Sequence, residues 1–97
     1  MNKYEQGRCS REAEFFKALG HPTRVWIVQQ LADGVEHCVC EFVDLVDADY
    51  STISQHLAVL KRAGVVIDDK RGRQVFYRLL KPCVIQVLAC MVEGCIE

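Results

Sequence analysis

The 97-residue chain has no apolar run approaching the roughly 18 to 20 residues of a membrane span; the longest in its C-terminal segment, Val87 to Val92, is far shorter. A secretory signal is also missing, since the first fifteen residues, MNKYEQGRCSREAEF, are polar and charged. There is no internal repeat, linker or low-complexity stretch. Basic charge is not in excess: twelve Lys and Arg against thirteen Asp and Glu give a net charge of −1. As a total this argues against a nucleic-acid binder held by bulk charge. These absences point to a soluble, cytoplasmic protein with no membrane partner. With 51% apolar residues the chain can build one small core, so residues 1–97 read as a single domain.

Cysteine, by contrast, is abundant, with six in the chain. In a small secreted protein such a count suggests a disulfide framework. In a reducing compartment, clustered thiols bind soft metals or sense redox change, and scattered ones serve as small buried hydrophobes.

The apolar pattern is mainly helical. Ser10 to Leu19 opens on a serine cap, carries Glu12 and Glu14 in its first turn, and aligns Phe15, Phe16 and Leu19 before Gly20. Residues 1–9 then form a flexible arm. His21-Pro22 starts a second helix with Val25, Trp26, Val28 and Leu31 on its apolar face, ending at Asp33-Gly34. Cys38 to Val46 reads as a third helix. After the turn Asp47-Ala48-Asp49, Tyr50 to Ala63 reads as a fourth, with Ile53, Leu57 and Leu60 at helical spacing and Gly64 as its stop. Two short helices joined by a tight turn predict a helix-turn-helix. Val65–Ile67 and Val75–Leu79 flank Asp68 to Arg73 as a hairpin with a basic tip. Pro82 introduces a last helix, Cys83 to about Glu93, that is apolar on nearly all sides. A chain this small cannot cover it alone, so residues 82–97 are expected to pair with a second copy. The predicted fold is therefore mainly α with a β-hairpin wing, a winged helix-turn-helix, dimeric through its last helix.

The charge distribution supports that order of elements. Residues 51–81 hold Lys61, Arg62, Lys70, Arg71, Arg73, Arg78 and Lys81 against only Asp68 and Asp69, a balance of +5. Residues 1–50 carry five basic and nine acidic residues, −4, and residues 82–97 carry two acidic residues, −2. The fourth helix and the hairpin are thus the one basic region, as phosphate binding requires. On that helix Ser51, Thr52, Ser54, Gln55 and His56 lie on or near the face opposite the core positions. Their hydroxyls and amides suit base edges in the major groove of double-stranded DNA, while Lys61, Arg62, Lys70, Arg71 and Arg73 suit phosphates. His56 has a second reading, as a buried histidine tying the helix to its neighbour.

The stretches ALGHPTRVWIVQQL, HCVCEFVDLV, STISQHLAVLKRAGVV and DDKRGRQVFYRL, from Ala18 to Leu79, resemble the ArsR/SmtB family of metal-responsive repressors. Cys38-Val39-Cys40 resembles the ELCVCDL signature of its arsenite and cadmium/lead branches. The resemblance implies a homodimer, built from the first and last helices, that holds operator DNA when metal-free and leaves it on binding an inducer such as As(III), Sb(III), Cd(II) or Pb(II). Soft thiolates favour such ions over hard cations. On an ideal helix Cys38 and Cys40 lie about 200° apart, so sharing an ion is expected to distort the helix start. A third thiolate suits pyramidal As(III). The arsenite branch often places it where this chain has Val43, and the cadmium/lead branch completes its site with N-terminal cysteines, which points to Cys9. His37 is a further ligand candidate. Cys83, Cys90 and Cys95 form a competing set, or else hydrophobes in the dimer helix. The family's zinc site on the last helix is not expected, because Cys83 to Glu93 contains no His or Asp. Oxidation or persulfidation of neighbouring thiols is the alternative signal. No cysteine has a convincing base and orienting partner, so an enzyme is not expected.

Overall fold

A computed structural model describes residues 1–91 of the chain. The first helix, α1, spans Lys3–Ala18 and starts seven residues before the expected Ser10. Asn2 and Glu5 form a reciprocal cap: the Glu5 N–H donates to Asn2 Oδ1 at 2.8 Å and the Asn2 N–H to Glu5 Oε1 at 3.1 Å. Residues 3–9 are therefore helical, a correction to the expected arm, and Ser10 donates back to the Gln6 carbonyl instead of capping.

Helix α2 (Pro22–Gln30) has proline in its first turn and His21 as cap, whose Nδ1 accepts from the Thr23 N–H at 3.1 Å. A 3-10 turn, Leu31–Asp33, follows. Strand β1 (His37–Cys38) leads into α3 (Val39–Leu45), and α4 (Tyr50–Arg62) follows the turn. Ile53, Leu57 and Leu60 of α4 are fully buried, as their spacing predicts. Gly64, at φ +81, closes α4 in the left-handed conformation that glycine adopts without a Cβ penalty. It lets the Val65 N–H reach the Leu60 carbonyl at 2.9 Å and stacks those two buried side chains.

The hairpin strands β2 (Val66–Arg71) and β3 (Gln74–Leu79) are longer than expected, with Arg71 opposite Gln74 across the two-residue turn Gly72-Arg73. Gly72 takes φ +62, the positive φ that matches hairpin twist. The sheet order is β1-β3-β2, all antiparallel, with His37 opposite Tyr77 and Cys38 opposite Phe76. Helix α5 (Val84–Ala89) ends the described part. The core joins Ile27, Val28 and Leu31, Val39 and Phe42, the α4 stripe, Val65, Val66, Tyr77, Leu79 and Val84. This is a winged helix-turn-helix: α3 and α4 are the helical pair, and β2–β3 is the wing.

Candidate functional site

Helix α4 is anchored at its start by Asp49, whose Oδ1 accepts from the Thr52 N–H at 2.7 Å. That bond and the Thr52 hydroxyl hold the Asp49 carboxyl below its ordinary range, so the cap stays charged. With one face locked in the core, the helix presents Ser51, Thr52 and Gln55 to solvent, and Ser54 is half-buried. These are the side chains a docked helix would offer to base edges.

His56 points differently. It is half-buried, its Nδ1 accepts from Arg24 Nε at 3.2 Å, and its ring lies 4.5 Å from that of His21. Arg24 also donates to the Ala18 carbonyl at 3.3 Å. Of its two readings, the geometry is that of a tie between α2 and α4. Burial first, then His21 and Arg24, push the His56 pKa down.

The basic residues divide into two groups. Lys61 pairs with Asp68 at 3.0 Å, and Arg71 pairs with Glu36 at 2.5 Å and Asp69 at 2.9 Å while lying over the Phe76 ring at 4.8 Å. Arg62, Lys70 and Arg73 are exposed and make no ion pair among the described residues. Of the seven cations in residues 51–81, two are thus matched by carboxylates, Asp68 and Asp69 within the segment and Glu36 outside it.

The thiols meet at the junction of β1 and α3. Cys38 lies outside the helix, as its cap, with extended backbone (φ −86, ψ 162), and Cys40 lies in the first turn. The two Cα atoms are 5.4 Å apart and the sulfurs are joined in a disulfide. The expectation that convergence must distort the helix is thereby corrected: the 200° argument assumed helical backbone at Cys38, and the strand ending there removes it. Cys38 is buried and Cys40 exposed. The Cys38 N–H donates to Glu41 Oε2 at 3.0 Å. His37 is held on both sides, Nε2 to Asp33 Oδ2 and Nδ1 to Glu41 Oε1, each at 2.7 Å. To bind an ion it must give up a carboxylate. Glu41 first, with Asp33, raises the His37 pKa.

His37 and His56 should therefore titrate on opposite sides of the ordinary histidine pKa near 6.5. Protonated His37 adds stability below about pH 6.5, lost as pH rises through its raised folded value. Neutral His56 adds stability above about pH 6.5, lost as pH falls through that value towards its lowered folded one. Ring-proton NMR titration checks this; two midpoints in the reverse order would contradict the geometry.

Cys9 is an exposed thiol on α1. Among the described residues no group of three or more His, Cys, Asp or Glu is placed to hold an ion, so Cys9 does not join Cys38 and Cys40 within one chain. Cys83 is exposed at the start of α5 and lines a cleft of about 700 Å³ with Phe15, Phe16, Val84 and Val87. Cys90 is exposed at the end of α5, and Cys95 lies outside the described residues. Phe16 on α1, Val87 on α5 and Met91 just beyond it are exposed apolar side chains, at 59%, 47% and 77%. That is surface a second copy would cover. No helix among the described residues is long and apolar enough to cross a membrane.

Residues 21–68, from the start of α2 through α4 into the wing, match the model of the bacterial regulatory protein arsR family. The chain is 39% identical over 93 residues, 96% of its own length and 99% of the relative's, to an uncharacterized HTH-type transcriptional regulator of Methanocaldococcus jannaschii. The chain belongs to the ArsR/SmtB family of transcriptional repressors. As an ArsR/SmtB member it is a transcriptional regulator and not an enzyme. It is also 41% identical over 66 residues to the arsenical resistance operon repressor of Escherichia coli, covering 68% of this chain and 56% of that one. Its fold matches HlyU from Vibrio cholerae with a TM-score of 0.79 at 29% identity, covering 95% of this chain and 98% of that one. What sequence reading missed is β1, the two-residue strand that carries Cys38 onto the wing.

Proposed function

We propose that this ArsR/SmtB repressor binds operator DNA as a homodimer and leaves it when Cys38 and Cys40 capture As(III) or Sb(III). The dimer forms through α1 and α5, α4 enters the major groove, and Arg62, Lys70 and Arg73 engage phosphates. The observation that carries the sensing role is the convergence of the two thiols where β1, paired with wing strand β3, meets α3, packed on α4. A change there has a route to both DNA-contacting elements. Capture starts from the dithiol, which the disulfide becomes on taking two electrons and two protons from a thiol reductant that is itself oxidised to a disulfide. Each Cys thiol then gives its proton to a hydroxide departing from arsenous acid, which leaves as water, as a sulfur–arsenic bond forms. Cys9 of the second protomer is the candidate third thiolate, since within one chain it does not join the pair. Cd(II) and Pb(II) are the other thiophilic ions the pair suits.

The disulfide favours a second reading, redox sensing. There a peroxide takes two electrons and two protons from the thiols, leaving as water and an alcohol or a second water. Exposed Cys40 is the sulfur that reagents meet first.

Anisotropy of labelled operator DNA, selected from a random-sequence pool, separates these readings. Wild type is titrated with As(III), Cd(II), Pb(II), peroxide and a persulfide donor beside Cys9→Ser, Cys38→Ser and Cys40→Ser. Arsenite is expected to release wild type, and release is expected to need at least a hundredfold more arsenite in Cys38→Ser and Cys40→Ser. Normal release in all three variants would move the site to the C-terminal cysteines. Release by peroxide or persulfide alone would favour the redox reading.

A further inference from the structure

The wing arginine that the sequence assigns to phosphate is occupied in the structure. Arg71 Nη2 lies 2.5 Å from Glu36 Oε1, and its Nε and Nη2 lie 3.0 Å and 2.9 Å from Asp69 Oδ2. Its guanidinium sits over Phe76, whose backbone pairs on one side with Asp69 and on the other with Cys38. Asp69 belongs to the same strand as Arg71, but Glu36 reaches it from 35 positions away along the chain. A local ion pair is expected wherever a charged turn forms; a distant carboxylate brought to the wing by β1 is a tertiary feature. The pair is partly open to solvent, with side-chain exposures of 50% and 31%, so a phosphate can compete for the guanidinium.

We propose that Glu36 is a positioning residue for DNA binding, which holds Arg71 away from phosphate and limits how much of the wing's charge the operator can use. Binding then requires exchange of one carboxylate for a phosphate at Arg71. The inference rests on DNA binding by the family and not on the identity of the inducer. Glu36 lies two residues before Cys38, so the restraint is carried by the segment that carries the thiol pair.

The test compares wild type, Glu36→Gln, Arg71→Gln and the double variant for binding to pool-selected operator DNA in reducing buffer without inducer, across roughly 50 to 200 mM salt. Glu36→Gln is expected to tighten binding about threefold, in keeping with an exposed ion pair. Its salt dependence is expected to steepen by a fraction of a unit for each protomer that engages DNA, because Asp69 keeps its hold on the guanidinium. In the Arg71→Gln background the same change is expected to alter neither quantity. Unchanged or weakened binding by Glu36→Gln overturns the proposal. So does an equal gain in both backgrounds, which would make Glu36 only a repelling charge. Absence of operator binding by wild type would instead strike the DNA-binding assignment, a separate outcome.

Discussion

Replacing Arg62 and Arg73 together with alanine is expected to weaken operator binding on the order of a thousandfold near physiological salt. Arg62 lies in the last turn of the reading helix and Arg73 in the wing turn, and both are exposed and free of internal ion pairs among the described residues. In the proposed dimer the double substitution removes four phosphate contacts. Each contributes about 0.9 to the slope of log affinity against log salt, so the slope should flatten by about three to four units. Lys61 and Arg71 make a useful contrast. Their charges are already matched by Asp68, Glu36 and Asp69, so replacing them should flatten the slope less. Anisotropy across a salt series measures both quantities. A loss below tenfold with an unchanged slope would place the phosphate contacts elsewhere.

The second large effect concerns stability. Phe42 is 1% exposed, on the inner face of α3, with its ring edge-on to Trp26 at 6.1 Å and to His37 at 6.3 Å. Truncation to alanine is expected to cost about 3–5 kcal/mol, because the lost transfer energy is joined by that of a cavity which rigid neighbours cannot fill. A small domain holds about 5–15 kcal/mol in total, so the variant would keep little of it. Urea unfolding should be compared at one fixed protomer concentration, since dimerisation contributes to the apparent value. A change below about 1.5 kcal/mol would mean that α3 does not depend on this side chain. Phe42→Leu, which keeps much of the volume, should lose far less. Because α3 carries Cys40 and starts at Cys38, Phe42 also fixes the platform on which the thiols meet.

The residues that were most legible in the sequence obey strong local rules. Ile53, Leu57 and Leu60 recur at helical spacing and are fully buried, and Gly64 ends their helix as its position implies. The Asp68–Arg73 stretch lies between two β-branched runs and does form the hairpin. The start of α1 lies earlier than Ser10 because Asn2 has Glu5 three residues on to return the bond, whereas the residue three on from Ser10 is Ala13. Strand β1 left no signal at all. Two residues show no alternation, and they are a strand only because β3, distant in sequence, offers its edge. What depended on β1 was hidden with it: that Cys38 and Cys40 can meet without distorting the helix, and the reach of Glu36 to Arg71. Net charge by segment located the basic region correctly but does not record which cations are already paired.

The sheet order β1-β3-β2 leaves β2 as an outer strand. Open strand edges are templates for unwanted pairing with other chains, and charged side chains are a common defence. Four consecutive residues of β2, Asp68, Asp69, Lys70 and Arg71, are charged, with both signs present. A second wing approaching this edge parallel and in register would meet like charges, and in any alignment it would have to strip water from charged side chains. A DNA backbone meets Lys70 without that conflict. The same short strand thus makes pairing through the sheet costly, while Phe16, Val87 and Met91 stay open elsewhere on the molecule.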